Sequence, residues 1–303
     1  MQTAPTVVGL GEILWDLLPS GRQLGGAPAN FAYCSHLLGA RAMIASRIGR
    51  DELGQEIRRR LLRQGMSDEF LETDSTYPTG TVSVEVDEEG RPNFEIHYPA
   101  AWDFLEWNEG WRTLAQSADA VAFGSLAQRS DVARATIHNF LDQTRPEALR
   151  IFDVNFRQSS YSRAIVTDSI RRAKIVKLNH EELPRMAELL TIPETDDRRF
   201  ASVLMQRFGL NLVCITRGAQ GSLLASSTHF DEHPGFRVEV KDTVGSGDAF
   251  TAGLVHEYLR AASLARMNNT ANQMGAWVAS CSGAMPLPPE AGLRKTLEQF
   301  GIA

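Results

Sequence analysis

The sequence is poor in cysteine, long apolar runs and positive charge, and each shortage excludes a class of protein. Its three cysteines are too few for a disulfide framework. No apolar run is long enough to span a bilayer, and the N-terminus lacks a basic region followed by an apolar one. The formal net charge of −6 opposes a nucleic-acid partner, because phosphate contacts need a basic surface. We therefore expect a soluble, cytoplasmic protein that binds neither nucleic acid nor membrane.

Two common nucleotide-binding motifs are also missing. The P-loop pattern Gly-x-x-x-x-Gly-Lys-Ser/Thr does not occur. Gly9-Leu10-Gly11 follows an apolar segment but lacks the third glycine of a dinucleotide fingerprint, because Leu14 occupies that position. The sequence therefore opposes a P-loop enzyme and an NAD-dependent oxidoreductase.

The order of apolar and helical segments indicates the fold class. The chain has 303 residues, 43% of them hydrophobic, which is enough for a sizeable core. From Asp119 onwards apolar strands alternate with helical stretches, as in a parallel sheet covered by helices on both faces. We expect a single α/β domain over residues 1–303. The predicted strands are Ala120–Phe123, Arg150–Val154, Ile175–Leu178 and Leu212–Thr216, and the predicted helices are Ser130–Thr144, Ser162–Arg172, Glu181–Leu190, Arg198–Phe208, Ala249–Leu259 and Asn268–Ser282.

The N-terminal part of the chain adds a small β excursion. Thr81–Val86 and Asn93–Tyr98 alternate apolar and polar side chains, and the turn residues of Asp87–Pro92 lie between them, which predicts a hairpin. Together with strands near residues 12–24, the hairpin at 80–98 would form a β lid beside a crevice. Around it we expect a strand at 6–10, helices at Ala29–Leu38 and Asp51–Gln64, and a strand at Ala42–Ile48.

The strongest chemical signal is the run Asp242-Thr243-Val244-Gly245-Ser246-Gly247-Asp248, which precedes a helix. Because glycine lacks a Cβ, the amides of Gly245 and Gly247 can approach a ligand closely, and the helix dipole points at the same place. With Ser246 they would form an anion hole for a transferring phosphoryl group. Asp248 would accept the proton of the attacking hydroxyl, as a weak base whose ionised form the dipole favours. The plainer alternative is that Asp248 only caps the helix.

A second glycine-rich segment, Gly25-Gly26-Ala27-Pro28-Ala29-Asn30, lies near the start of the chain. Its two glycines permit close backbone approach to a polar ligand at the start of a helix. Asn30 offers both a donor and an acceptor for a hydroxyl. Alone, this segment is a weak signal, since a Gly-Gly turn before a helix is common.

In this order, the two segments resemble the signature regions of the ribokinase-type (PfkB) carbohydrate kinases, and the resemblance extends along almost the whole chain. Ser246 replaces the alanine that is commoner in the family, which leaves the backbone N–H in place. Further elements carry the resemblance: Asp153-Val154-Asn155-Phe156-Arg157 is similar to the family's Asp-x-Asn-x-Arg, Asn179-His180-Glu181-Glu182 to its Asn-x-x-Glu, and Thr216–Gly221 to the segment against the nucleotide.

Within the family, several stretches look specifically like bacterial fructokinases. The resemblance implies a doubly wound, mainly parallel sheet flanked by helices, with a β lid that often pairs two subunits. It also implies MgATP as donor and, in many members, activation by a monovalent cation such as K⁺. We therefore expect ATP-dependent phosphorylation of D-fructose to D-fructose 6-phosphate by a homodimer joined through its lids. The fructokinase-like stretches are Gly11–Pro19, Gln23–Phe31, Tyr98–Asp103 and Phe123–Ser130.

The resemblance also implies roles at the sugar end of the site. Asp16 and Asn30 would bind sugar hydroxyls, since a carboxylate and an amide offer suitable partners. Arg157 would meet the transferring phosphate, because a guanidinium suits oxyanions. The remaining substrate-binding candidates are Gly26, Tyr98 and Trp102. The plainer alternatives are a turn role for Asp16, a surface ion pair for Arg157 and simple packing for Trp102.

At the nucleotide end, Asn179 and Glu182 would organise Mg²⁺ through water, because that ion keeps several of its waters. Glu181 competes with Glu182 for this role, and a slip of one residue would exchange them. The other candidates are Thr216, Gly218, Gly221 and Asn272 beside the nucleotide, with a plain helix-surface role as the alternative for Asn272. A monovalent cation would lie around Asp242, Val244 and Gly283, held mainly by backbone carbonyls.

Other functions remain open from the residues alone. A kinase for another sugar or for a nucleoside fits the generic motifs equally well. A catalytically silent, sugar-sensing relative is disfavoured, because such a protein has no need to keep both glycines and Asp248.

Overall fold

The computed structural model describes residues 4–18, 21–86, 92–158, 160–194, 196–288 and 292–299, in which strands and helices alternate. Its strands, in chain order, are β1 Thr6–Leu10, β2 Leu14–Leu18, β3 Gly21–Gly25, β4 Arg41–Gly49, β5 Leu71–Asp74, β6 Gly80–Val86, β7 Pro92–Ile96, β8 Ala120–Gly124, β9 Leu149–Asp153, β10 Ile175–Asn179, β11 Leu212–Thr216, β12 Ser222–Ser226 and β13 Phe230–His233. Its helices are α1 Ala27–Leu37, α2 Glu52–Arg63, α3 Glu109–Ser117, α4 Asp131–Asp142, α5 Arg163–Arg172, α6 Leu183–Leu190, α7 Asp197–Phe208, α8 Ser246–Tyr258, α9 Leu264–Ala279 and α10 Leu293–Leu297.

Among the described residues, the main sheet has nine strands in the order β13-β12-β11-β10-β9-β8-β1-β4-β5. All neighbours pair in parallel except β11 with β12 and β12 with β13, which form an antiparallel edge. Val7 and Val8 on β1 are both buried, and they belong to separate apolar clusters on opposite faces of the sheet. The expected doubly wound, mainly parallel sheet is therefore confirmed.

The topology places a crevice at the carboxyl ends of the central strands. From β1 the chain moves outward to β4 and β5, and it returns to the other side of β1 to build β8 through β11. Open α/β sheets bind ligands at such a switch point. The residues that follow β1, β9 and β10 therefore lie where chemistry is expected.

A second, four-stranded sheet lies apart from the main one, in the order β3-β2-β6-β7. Strands β2 and β6 pair in parallel, and the outer pairs are antiparallel. It combines β2 and β3 with the predicted hairpin strands β6 and β7, and we call it the lid sheet. The predicted turn of that hairpin, at 87–91, lies outside the described residues.

Asp51 joins the main body to the lid sheet. Its carboxylate accepts from the backbone N of Gly54 at 2.8 Å and so caps α2, as the sequence predicts. The same carboxylate accepts from the backbone N and the hydroxyl of Thr79, at 2.8 and 2.7 Å. One side chain therefore fixes both the start of α2 and the entry to β6.

The sequence patterns missed the strands β5 and β12 and the helices α3 and α10. The edge strand Phe230–His233 pairs with β12. Among the described residues, the structure contains no helix that is both long and apolar enough to cross a membrane.

Candidate active site

The first turn of α8 lies at the crevice and carries Asp248. The N-cap residue, Gly245, has φ of 78°, a left-handed conformation that favours glycine, and no side chain caps the helix. The first amides of α8 therefore lack side-chain partners and remain suited to an anion. Ser246 Oγ donates to the Thr243 carbonyl at 2.8 Å, so this hydroxyl stabilises the loop.

The two glycines of this turn are also required by the protein itself. A Cβ on Gly245 would lie 2.5 Å from the Cβ of Ala284. A Cβ on Gly247 would lie 2.9 Å from Nζ of Lys177. Packing against Ala284 and Lys177 therefore also requires glycine at these two positions.

Asp248 is a stronger base than the helix dipole alone predicts. Burial, followed by the negative charge of Asp153, raises the pKa of Asp248 to about 6. Lys177, the Asn30 amide and Arg157 oppose this rise. The expectation of a weak base was wrong, because the loss of solvation outweighs the dipole.

Asn30 contacts the candidate base directly. Its Nδ2 donates to Oδ2 of Asp248 at 2.8 Å, joining α1 to α8. Its Oδ1 is buried and has no hydrogen-bond partner in the described structure. Gly26, just before α1, has φ of 107°, and a Cβ there would lie 2.6 Å from the Glu12 carbonyl oxygen. Gly26 therefore lets the segment after β1 pack against the start of α1.

Glu12 is a site residue that the sequence analysis missed. It follows β1 at the switch point and is 1% exposed, and its Oε2 has no partner among the described atoms. Burial, and then the charge of Asp248, raises the pKa of Glu12 to about 7, against the opposing effect of Arg157. A polar residue directly after a predicted buried strand was the signal that could have identified it.

Asp16 lies on the lid sheet, but the charge of Arg157 acts on its carboxylate as it does on Glu12 and Asp248. Burial raises its pKa to about 6, Arg157 lowers it and Asp242 raises it. A Cβ on Gly25, in the paired strand β3, would lie 2.6 Å from Asp16 Oδ2, so the carboxylate uses the space that this glycine leaves. Arg157 is exposed, and its charge acts on Glu12 and Asp16 alike.

Asp153 and Lys177 form an ion pair that the sequence patterns did not predict. Lys177 and Asp153 are each 7% exposed. Nζ of Lys177 lies 3.1 and 3.0 Å from the two carboxylate oxygens of Asp153. The Asp-x-Asn-x-Arg element thus contributes a buried anion as well as Arg157.

Glu182 and Glu181, the two candidates for organising Mg²⁺, differ in burial and in hydrogen bonding. Glu182 is buried and Glu181 exposed. The Glu182 carboxylate accepts from the backbone N of Phe156 and of Asn179, both at 2.8 Å. Asn179 Oδ1 in turn accepts from the backbone N of Glu182 at 2.9 Å, and burial raises the pKa of Glu182. This reciprocal pair joins the ends of β9 and β10.

The nucleotide-side candidates divide into exposed and buried residues. Thr216 ends β11 with partial exposure, and a Cβ on Gly218 would meet open space. Gly221 is packed tightly, because a Cβ there would lie 1.9 Å from the His233 carbonyl oxygen. Asn272 is 8% exposed, and its Nδ2 donates to Ser222 Oγ at 2.7 Å. Asn272 is therefore neither a helix-surface residue nor a free donor.

The aromatic candidates at the lid also differ in exposure. Tyr98 is 65% exposed, whereas Trp102 is fully buried. The guanidinium of Arg129 lies 4.1 Å from the Trp102 ring centroid and forms an ion pair with Asp103 at 2.7 Å. The expected sugar contact of Trp102 does not fit this structure, because the ring has no exposed surface.

Asp242 connects the two segments expected to surround a monovalent cation. Its Oδ1 accepts from the backbone N of Val244 at 3.0 Å, and its Oδ2 from that of Gly283 at 3.1 Å. Within the described part of the chain, no group of three or more His, Cys, Asp or Glu residues is arranged to hold a metal ion.

Comparison with known proteins identifies the family. Residues 21–291 match the model of the pfkB family carbohydrate kinases. The chain is 28% identical to a fructokinase of Escherichia coli over 305 residues, 92% of this chain and 95% of that protein. It is 30% identical to a fructokinase of Salmonella typhimurium over 261 residues, 81% and 82% of the two chains. A crystal structure of fructokinase from Vibrio cholerae O395 with fructose, ADP and a calcium ion matches with a TM-score of 0.81 at 27% identity, covering 98% of this chain and 100% of that one. The chain therefore belongs to the pfkB family and is a carbohydrate kinase.

Proposed function

We propose that this kinase transfers the γ-phosphoryl group of MgATP to D-fructose, giving D-fructose 6-phosphate and ADP. One observation carries the proposal: Asp248 stands in the uncapped first turn of α8 with a pKa raised to about 6. A base and a set of amide donors thus occupy one turn of helix. The likeness to fructokinases supports fructose as the acceptor.

The transfer follows from the positions of these groups. Asn30 occupies Oδ2 of Asp248, so Oδ1 takes the proton of the sugar hydroxyl. The hydroxyl oxygen forms a bond to the γ-phosphorus as the bond to the ADP oxygen breaks, and ADP carries away that electron pair. The amide of Gly247, together with Arg157, stabilises the charge on the transferring group, whereas the amide of Ser246 donates to the Thr243 carbonyl at 3.2 Å.

The nucleotide would lie along the exposed carboxyl ends of β10 and β11, against Thr216 and Gly218. When bound with ATP, Mg²⁺ would supply positive charge to the phosphates. Glu182 suits this ion through water, because backbone amides already occupy both of its carboxylate oxygens. A monovalent cation, K⁺, would lie on the carbonyls of the two segments that Asp242 joins, the loop at Val244 and the turn at Gly283.

A coupled assay of ADP release over a panel of sugars and nucleosides tests the substrate. D-Fructose should give the highest kcat/KM. A higher value with a nucleoside or another sugar would replace fructose as the substrate. Failure of every acceptor to release ADP, with sugar binding intact by calorimetry, would favour the silent sensor.

Activity should depend on pH through Asp248. Because the ionised carboxylate is the active form and its pKa is raised to about 6, kcat at saturating sugar should be level above neutrality. It should fall about tenfold per pH unit well below pH 6. Saturating sugar separates this effect from protonation of Asp16, whose pKa is also about 6. Stopped assays from pH 5 to 8 measure the profile, and a flat line would contradict the role of Asp248.

We further propose that two subunits pair through the outer faces of their lid sheets. The charge of Arg157 acts on Asp16, which places Asp16 on the inner face of the lid sheet, and neighbouring residues on a strand point to opposite faces. Leu17, which is 38% exposed, therefore points outward. Leu17 is a better position for a test than Val84 or Ile96 on the hairpin strands. The side chain of Val84 lies outside the described part of the structure, and Ile96 packs against the main core.

The variant Leu17→Glu should dissociate the dimer and raise the KM for sugar, because the lid would lose its support. Sedimentation velocity at micromolar concentration, followed by kinetics, measures both effects. The matched control is Leu62→Glu on α2, which is 58% exposed and should stay dimeric and active. A wild-type protein that sediments as a fully active monomer would rule out this pairing.

A further inference from the structure

Asp153 and Lys177 form a buried ion pair that the proposed transfer does not use. They stand opposite each other on the parallel strands β9 and β10. Burying two charges costs free energy that an ion pair recovers only with good geometry, so replacing such a pair with apolar residues is often neutral or stabilising. Stability alone therefore gives little reason for this pair at the bottom of the crevice.

The pair contacts α8 at the turn that carries Asp248. Nζ of Lys177 lies beneath Gly247, where a Cβ would approach it to 2.9 Å. The hydroxyl of Thr251, which is 1% exposed, lies 3.4 Å from Asp153 Oδ2 and donates to the Gly247 carbonyl at 3.0 Å. The sheet thus contacts the first turn of α8 through the cation at Gly247 and through the hydroxyl one turn later.

The charges of Asp153 and Lys177 both act on the pKa of Asp248. From the sheet, Asp153 raises its pKa and Lys177 lowers it. Although burial alone would lower the pKa of Lys177, the charges of Asp153, Glu182 and Asp248 hold it above its ordinary range. Lys177 is held as the cation of the pair, with Nζ 3.1 and 3.0 Å from the two carboxylate oxygens of Asp153. The other titratable or charged groups that act on Asp248 or respond to it are Glu12 after β1, Cys34 on α1 and Arg157 after β9.

We propose that the Asp153–Lys177 pair positions the catalytic turn: it holds the start of α8 against the sheet and keeps Asp248 poised to accept a proton. This inference rests on the proposed role of Asp248 as the base. Neither member of the pair contacts the sugar or ATP in this scheme, so both are positioning residues.

The pH profile of kcat tests the role of the ion pair, because the charges of Asp153 and Lys177 shift the pKa of Asp248 in opposite directions. Asp153→Asn removes an anion and leaves the cation. The midpoint, which is the pH at which kcat reaches half of its maximum, should therefore fall by about one pH unit. Lys177→Met removes the cation and leaves the anion, so the midpoint should rise by about as much. The double variant should return the midpoint close to that of the wild type. It should still turn over about tenfold more slowly at an unchanged sugar KM, because the turn is less well held.

A matched control is Asp74→Asn, which breaks a largely buried ion pair with Arg47 at 3.1 Å on the neighbouring strands β5 and β4. It should lower the melting temperature and leave the midpoint of the profile where it is. Midpoints that do not move, or that move the same way in both single variants, would overturn the proposal. Where a single variant does not fold, the double variant decides, since it leaves no unpaired buried charge. An unchanged kcat in that variant would also overturn the proposal.

The experiment distinguishes the proposed role of the Asp153–Lys177 pair from the proposed role of Asp248 as the base. If Asp248→Asn keeps its turnover, the proposed base is wrong, whatever the profiles show. If Asp248→Asn is inactive but the midpoints stay fixed, only the role of the ion pair is wrong.

Discussion

Replacing Asp248 with asparagine should lower kcat by about 10²–10⁴-fold and leave nucleotide affinity nearly unchanged. The amide preserves the hydrogen-bonding shape of the side chain but cannot accept the hydroxyl proton. Steady-state kinetics measure the loss, and calorimetric titration with ATP measures the affinity. Near-normal turnover in this variant would contradict the proposed role of Asp248 as the catalytic base.

Two further measurements make the result specific. Asp242→Asn is the matched control, because this carboxylate binds backbone amides at the loop and should act on cation or nucleotide binding instead. The melting temperature of Asp248→Asn at neutral pH should equal or exceed that of the wild type. A carboxyl group whose pKa is raised on folding destabilises the folded state above its unfolded pKa, and the amide removes that cost.

Replacing Asp16 with alanine should raise the sugar KM by about 10- to 100-fold and leave the ATP KM nearly alone. A hydrogen bond to a charged group contributes about 1.5–3 kcal/mol, which corresponds to this range. Initial rates with each substrate varied in turn measure both constants. The variant Asp16→Asn, which keeps one acceptor oxygen, should lose less. Equal damage to both KM values would mean that Asp16 supports the lid sheet rather than binding the sugar.

Local patterns predicted much of the fold, because period and capping are local properties. The capped helix after Asp51 and the alternating strands of the hairpin were recognised, and the buried strands β8 to β11 lie within a residue or two of their predicted positions. The short strand β5 was missed because Leu71–Asp74 has too few residues to show a period. Helix α3 was missed although Trp111, Leu114 and Ala115 recur at helical spacing, because nine residues give the period little length in which to appear.

The candidate site was predicted as a set of residues but not as a set of contacts. The position of Asp248 in the first turn of α8 followed from the glycine run. Its contact with Asn30 joins positions 218 residues apart, which no local pattern reveals. Glu12 and Lys177 were missed for a related reason: a charged residue acquires its role from tertiary burial, which raises the pKa of Glu12 to about 7 and encloses Lys177. The basicity of Asp248 was misjudged because burial is invisible in the run itself.

The two carboxylates proposed to handle the sugar belong to different parts of the molecule. Asp16 is carried by β2 of the lid sheet, and Asp248 by α8 against the main sheet. An acceptor must therefore be large enough to reach from one to the other before the site is complete. A water molecule can contact Asp248 but cannot also draw β2 towards it. If Asp16 and Asp248 have the proposed roles, the fold would guard against futile hydrolysis of ATP, because the smallest competing nucleophile is the one that cannot bridge the crevice.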